Sequence, residues 1–563
     1  MASLAAVTPS TELAKEDLDI VFQHLFRRLA QYRNSTQLYS QLEAHTDNSL
    51  VPAERKAGYQ TDFNDAINSW AQKLLEAAWA ACQEPGGGSC PELDLYADTS
   101  TGKLPHLPAQ SELTTLLNTV TFLHITSSKS YSARTRSFLS SFGNVDEHAI
   151  VKVLKNPDHA LEEAQKHAQQ TKESHAAKGK TMRMVGMGLG AVAGGVLIGV
   201  TGGLAAPLVG AGVTTVLGWI GVGGTAAGML ASGLAGSSVV CGALFGVYGA
   251  RSTASIVERY TREIRDLAIL PVRTSDAGEE SLGVRLCISG WLESQGDVTQ
   301  PWTVFGGDDT FALQWEVEAL QALSSALMTL IKSHAMKYVQ SEIIKRTVFA
   351  TLMSSLSPLA LLKVGQIIDN PWMNAKALAV KAGAVLGELL AIRAFGNRPI
   401  TLVGYSLGAL VIFEALKHLA SISPKESTHL VQDVFLYGTP TSTDPDYWTS
   451  IRRVVAGRLV NGYAKDDYVL AVLSRVSDAS WNIAGLTPVD VKGVENVLCE
   501  EVTGHASWRG MIGRCLQLSR APGIINSEVQ RQIHEVAAAI EEDTKLTQEE
   551  IELVSQEGSM EQS

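Results

Sequence analysis

The stretch PITLVGYSLGALVIFEAL, residues 399–416, decides how this 563-residue chain is read. An apolar run, Ile400–Val403, leads into Gly404-Tyr405-Ser406-Leu407-Gly408, and Leu407–Ala420 leaves it with apolar residues at helical spacing. A GxSxG pentapeptide alone is a weak signal. Between a strand and a helix, however, it describes a sharp turn that lifts a serine hydroxyl above the carboxyl end of a sheet. The small flanking residues tolerate the strained backbone such a turn needs. Ser406 is therefore a candidate nucleophile, with Gly404 and Gly408 framing the elbow. The competing reading is an ordinary turn whose serine caps the helix.

Outward from this turn, short apolar runs alternate with longer helical stretches, the pattern of a parallel α/β sheet. Strands are expected at Val284–Ser289, Ile400–Val403, Val434–Tyr437, Arg458–Asn461 and Val494–Leu498, and helices at Leu313–Lys332, Ala375–Ala394 and Leu407–Ala420. One catalytic domain from 251 to 540 follows. Residues 338–398 form an insertion ahead of the nucleophile strand, and its TLMSSLSPLALLKVGQIIDNPW is too apolar for full solvation. It reads either as a lid or docking surface or as additional core.

A serine hydroxyl is too weak an acid to attack an ester unaided. A histidine must take its proton, and an acid must orient that histidine. In this architecture the chain order is serine, acid, histidine. His505, in EVTGHASW, follows the last expected strand and a glycine, whereas His534 lies in a regular helical pattern near the tail. His505 is the preferred partner. GRLVNGYAKDDYVL places Asp466 and Asp467 just beyond a strand; Asp467 is preferred, with an apolar residue two positions on to anchor its loop. Asp466 is its solvated neighbour, and Asp444 and Asp446, beside two prolines, rank lower. Oxyanion donors are expected from the backbone N–H of Leu407 and from the loop after Val284–Ser289, where Gly290 lets the N–H of Trp291 or Leu292 point inward.

From Met184 to Ala250 the sequence runs 67 residues without a charge and holds 20 of the chain's 49 glycines. That length accommodates two membrane spans, or three with tight turns. Glycines four apart, such as Gly190/Gly194, Gly195/Gly199, Gly199/Gly203, Gly224/Gly228 and Gly242/Gly246, suit close helix packing within one chain or between two. Lys172, Lys178, Lys180 and Arg183 precede the segment, and Arg251, Arg259, Arg262 and Arg265 follow it. Basic residues on both flanks place both on the cytosolic side and favour a two-span hairpin. Pro207 and Gly218–Gly224 are break points that would instead cut the segment into three. The alternative is a glycine-rich core hairpin of a soluble protein.

Residues 1–180 read as mainly helical, with apolar spacing in Leu18–Leu29 and Ile67–Ala81 and breaks at Pro85–Gly88 and Pro105–Pro108. His159, His167 and His175 recur every eight residues, too sparsely for a compact metal site. The start lacks a secretory signal pattern. Six scattered cysteines show neither a disulfide framework nor metal-ligand spacing. With 46 Lys and Arg against 58 Asp and Glu, the net charge of −12 argues against a nucleic-acid partner; the acidic tail, 541–563, carries −7 of it.

The uncharged segment, SGW, DNPWMNAKALAVKAG (369–383), RPITLVGYSLGA, VVAGRLVNGYAKDDYVL, AGLTP and VTGH together resemble the transmembrane and coiled-coil domain-containing protein 4 family over about 180–510. This resemblance implies an α/β-hydrolase fold on a membrane-anchored chain, with Ser406, Asp467 and His505 at matching positions. Ala464 departs from it, standing where a serine is expected. The expected function is a membrane-anchored serine hydrolase of esterase or lipase type, multi-pass, with the catalytic domain and N-terminal region in the cytosol. Its substrate would be an ester, most naturally of a lipid. It would need no metal or organic cofactor, and could self-associate through the glycine-rich spans. The alternative is a catalytically silent hydrolase-fold scaffold or adaptor in membrane trafficking.

Overall fold

A computed structural model describes residues 3–9, 13–47, 50–166, 224–245, 264, 266–273, 281–335, 371–467, 469–471, 473–474 and 482–538. Among the described residues, the first 166 include the helices α1 (Lys15–Ala44), α2 (Ala53–Ala81), α3 (Gln110–Ser128), α4 (Ala133–Ser140) and α5 (Glu147–Lys155), and residues 157–166 are also helical. Two more, α6 (Gly224–Ala235) and α7 (Ser237–Phe245), precede a seven-stranded sheet. Its strands are β1 (Ala268–Pro271), β2 (Val284–Ile288), β3 (Asp309–Gln314), β4 (Ile400–Tyr405), β5 (Val431–Tyr437), β6 (Leu459–Tyr463) and β7 (Val494–Leu498), in the order β1-β3-β2-β4-β5-β6-β7. β1 runs antiparallel to β3 at the edge, and every other neighbouring pair is parallel.

The central strands are buried along their whole length, ITLVGY in β4 and VQDVFLY in β5. Parallel strands covered on both faces call for such near-continuous apolar runs. Helices α8 (Val317–Ala335), α9 (Pro371–Ala391), α10 (Leu407–Ser421), α11 (Pro445–Val454) and α12 (Ser507–Leu518) belong to the α/β region, and residues 526–538 are also helical. α9 and α10 lie side by side where glycines leave no room to spare: a Cβ on Gly383 would stand 2.7 Å from the Val411 carbonyl, and one on Gly387 2.7 Å from the His418 Cβ. Leu402, Val411 and Leu416 are among the side chains of the sheet's core. Truncating one such leucine would cost roughly 2–5 kcal/mol.

The N-terminal helices close the amino ends of the parallel strands. The Tyr131 amide donates to the Asn397 carbonyl just before β4 (2.9 Å), and the Ala133 amide to that of His429 just before β5 (3.0 Å). The Tyr32 hydroxyl donates to the Ala456 carbonyl before β6. Arg136, on α4, pairs with Glu147 and with Asp308, which immediately precedes β3 and also receives Arg285 of β2. Burial alone would raise the Asp308 pKa, but the two guanidiniums hold it down at about 2. A further ion pair, Arg453 with Glu43, joins α11 to α1.

The described part of the uncharged segment belongs to this helical layer. Leu230, Leu234, Val240 and Leu244 pack in the same apolar cluster as Leu116, Val120 and Leu123 of α3. α6 and α7 are bent by 65° where they meet, and among the described residues no single helix is long and apolar enough to cross a membrane. α7 touches the sheet's amino end, where the Asn397 amide donates to the Ala243 carbonyl. Residues 184–223 and 246–250, the basic flank residues Lys172, Lys178, Lys180, Arg183, Arg251, Arg259, Arg262 and Arg265, insertion residues 338–370, His167, His175 and the tail 541–563 lie outside the described residues.

Candidate active site

β4 ends at Tyr405, and α10 starts at Leu407, so Ser406 alone makes the turn between them. Its φ of 55° and ψ of −131° lie in a region that L-residues rarely occupy, at a cost of about 1–3 kcal/mol. Two hydrogen bonds hold it there: the Ser406 amide donates to the Tyr437 carbonyl at the end of β5 (2.8 Å), and the Ala409 amide donates to the Ser406 carbonyl (3.0 Å). The glycines on either side permit the fit. A Cβ on Gly404 would meet the Ile412 side chain at 2.8 Å, and one on Gly408 the Ile288 carbonyl oxygen at 2.1 Å.

The loops after β6 and β7 open at the same end of the sheet. Asp467 follows β6 in a turn closed by its amide on the Ala464 carbonyl, and His505 follows β7 just before α12. The Ser406 Oγ lies 2.5 Å from the His505 Nε2, and the His505 Nδ1 lies 2.8 Å from the Asp467 Oδ2. An ionised carboxylate only accepts, so Nδ1 carries the proton in this pair and Nε2 is left to accept from the serine hydroxyl. Asp467 is fully buried and receives two further donors, the Leu470 amide on Oδ1 (3.1 Å) and the Trp508 indole on Oδ2 (2.8 Å).

The loop after β2 lies across the elbow. Ser289 is pinned there by two buried indoles, Trp302 donating to its Oγ (3.0 Å) and Trp315 to its carbonyl (3.1 Å). A Cβ on Gly290 would stand 2.3 Å from the Leu407 amide nitrogen, so only glycine lets this backbone lie against the start of α10. Trp291 comes next. Its ring meets the His505 imidazole edge-on at 5.5 Å between centroids, and its carbonyl accepts from the Tyr405 hydroxyl (3.1 Å). Burial raises the pKa of that hydroxyl, keeping it a donor.

The other candidates lie apart from this group. His534 and Asp466 are exposed. Asp444 caps α11, accepting from the Asp446 amide. His159 is exposed, and no cluster of metal-ligating side chains occurs among the described residues. Sequence reasoning passed over Trp508, Arg509 and Asp297. The one local signal was that Trp508 stands three residues past His505, nearly one helical turn.

A serine held out of the helix and an imidazole accepting from it form a path for one proton, with a buried carboxylate holding the imidazole from behind, beside the amide-bearing N-terminus of a helix. The region containing all of these residues matches, over 179–520, the family described as "Protein of unknown function (DUF726)". The chain belongs to this family. Among curated proteins similar to it, an uncharacterized membrane protein of Schizosaccharomyces pombe is 38% identical over 348 residues, covering 60% of this chain and 59% of the relative. The transmembrane and coiled-coil domain-containing protein STS1 of Oryza sativa subsp. japonica is 36% identical, covering 61% of this chain and 54% of the relative. A Saccharomyces cerevisiae protein named "Probable lipase MIL1" is 32% identical, covering 53% of this chain and 27% of the relative. The matches thus span about half to three-fifths of the first two relatives, and about a quarter of the yeast protein. No solved structure matches the chain.

Proposed function

We propose that this DUF726 chain is a membrane-associated serine hydrolase with an α/β-hydrolase fold, cleaving a carboxylic ester by a Ser-His-Asp acyl-enzyme mechanism. The observation that carries the reading is the hydrogen-bonded sequence Ser406, His505, Asp467 at a strained strand-to-helix turn. Ser406 attacks the ester carbonyl while His505 takes its proton, and the N–H groups of Leu407 and Trp291 receive the developing oxyanion. As the carbonyl re-forms, the C–O bond to the alcohol breaks and His505 returns the proton to the departing oxygen. Water activated by the same imidazole then releases the acid. Asp467 holds the imidazolium throughout.

A lipid ester is the substrate class that fits membrane-named relatives and the relative named as a lipase. On this reading the chain lies within the transmembrane and coiled-coil domain-containing protein 4 group. A helical region, 1–180, and a glycine-rich two-span hairpin, 184–250, precede the hydrolase domain of 251–540 with its insertion 338–398. The acidic tail, 541–563, follows. Both flanks of the hairpin are cytosolic. Release by alkaline carbonate into the soluble fraction would end the hairpin part of this reading.

A fluorophosphonate probe tests the chemistry. Labelling of the wild type that Ser406→Ala abolishes is the expected result. A second reading, a silent hydrolase-fold scaffold, draws on the burial of the group: Ser406 and His505 are each 1% exposed. A folded wild type that takes no label, with or without phospholipid vesicles, would favour it.

A further inference from the structure

We propose that Arg509 is a positioning residue for this reaction, holding the loop that carries the Trp291 amide in register with His505. The proposal rests on the serine-hydrolase reading above. Arg509 sits on the first turn of α12, four residues beyond His505, and reaches across to the loop after β2. Its Nη1 lies 2.9 Å from the Asp297 Oδ1, and its Nη2 lies 3.0 Å from the Glu293 Oε2. The neighbouring Trp508 on the same turn donates to Asp467, so one turn of helix grips the acid on one side and the oxyanion loop on the other.

Asp297 is the organiser of that loop. It is buried, and its Oδ2 accepts from the amides of both Glu293 and Ser294 at 2.8 Å, while its carbonyl accepts from the Ser289 hydroxyl. These bonds draw residues 289–297 into one closed turn with Gly290 and Trp291 inside it. The loop's remaining ties run to two buried indoles and to the nucleophile turn, through the Tyr405 hydroxyl and the start of α10. Arg509 is what ties it to the histidine's helix, and it also neutralises the buried carboxylate. Burial works against the Arg509 charge, but Asp297 and Glu293 outweigh it and hold the guanidinium pKa above its ordinary value.

A fork with two carboxylates fixes orientation as well as distance, which a single point charge does not. Displacing an oxyanion donor by about 1 Å costs on the order of 10²-fold in rate. The structural alternative is that Arg509 only relieves the buried charge of Asp297. The two differ in what happens when both charges are removed together.

The test uses the full chain, the fluorophosphonate probe and p-nitrophenyl butyrate. Arg509→Met is expected to slow Ser406 labelling about 10- to 100-fold, lowering kcat with KM changed by less than about threefold. Arg509→Lys, which keeps the charge but loses the fork, should recover part of the rate. In Asp297→Asn/Arg509→Met no buried charge is left unpaired, so the melting temperature should return toward wild type while labelling stays slow. Wild-type labelling rates in Arg509→Met would overturn the proposal. So would a double variant that regains its rate along with its stability. Failure to label the wild type, or labelling that survives Ser406→Ala, would instead remove the hydrolase reading and this proposal with it.

Discussion

A Cβ on Gly290 would stand 2.2 Å from the amide nitrogen of Gly408, and a Cβ on Gly408 would stand 2.9 Å from the Ser289 carbonyl carbon. The loop after β2 and the first turn of α10 therefore touch backbone to backbone, and each glycine depends on the other. Contacts under 3 Å with backbone cannot be relieved by a side-chain rotation, so any Cβ must push the two segments apart. Gly290→Ala is expected to slow fluorophosphonate labelling of Ser406 by about 10²-fold or more, because the Trp291 amide moves with the loop. Labelling at the wild-type rate would mean that this loop supplies no donor.

Trp508 is fully buried, lies tilted against the Tyr437 ring at 6.1 Å between centroids and gives its indole N–H to Asp467. Trp508→Phe preserves most of the apolar packing and deletes that one donor. A hydrogen bond to a charged acceptor contributes about 1.5–3 kcal/mol, so the melting temperature should fall. The Asp467 Oδ2 would keep only the His505 N–H, and the carboxylate could rotate. kcat on p-nitrophenyl butyrate should drop about 3- to 10-fold with KM little changed. A loss of stability without a loss of kcat would make the indole a packing element alone.

Two adjacent carboxylates have opposite surroundings: Asp467 is enclosed by three donors, and Asp466 is exposed. Asparagine at 467 would turn an NH2 group toward N–H donors and favour the wrong histidine tautomer. The expected loss of kcat for Asp467→Asn is on the order of 10³- to 10⁴-fold. Asp466→Asn should stay within about twofold, as for an exposed surface change. Reversed magnitudes would reassign the acid.

Local chemistry made the nucleophile turn readable: the run Ile400–Val403 lies within β4, and the helix starts at the expected Leu407. His505 and Asp467 were legible from their places just beyond strands. β3 was not. Its DTFALQ continues straight into apolar helical spacing, and the break between them falls at Glu316, which takes φ 42° without the glycine that would have marked it. α8 accordingly begins at Val317, not at the expected Leu313. β1, four residues on an antiparallel edge, is too short to show a period. Trp508 and Arg509 act across 41 and 212 residues, distances at which spacing carries no information. The closure of the sheet's amino end by Arg136 on Asp308, 172 residues apart, is hidden for the same reason.

That closed end also predicts an acid weakness far from Ser406. His124 is buried on α3, and burial drives its pKa down to about 4; the nearby Lys73 charge adds to this, while a hydrogen bond with the Lys73 backbone opposes it. His429, just before β5, is pushed the same way by burial and by Arg134. Both are neutral in the fold. Unfolding restores an ordinary value of about 6.5, so the stability they contribute is complete above that pH and is lost as pH falls toward 4. For His124 alone the loss amounts to about 3 kcal/mol across this window. Melting temperature should therefore fall steeply from pH 6.5 to 4. His124→Gln should flatten part of the slope and His124→Gln/His429→Gln most of it, with Ser406 labelling at neutral pH kept in both. A slope that persists undiminished in the double variant would place the acid-sensitive groups elsewhere.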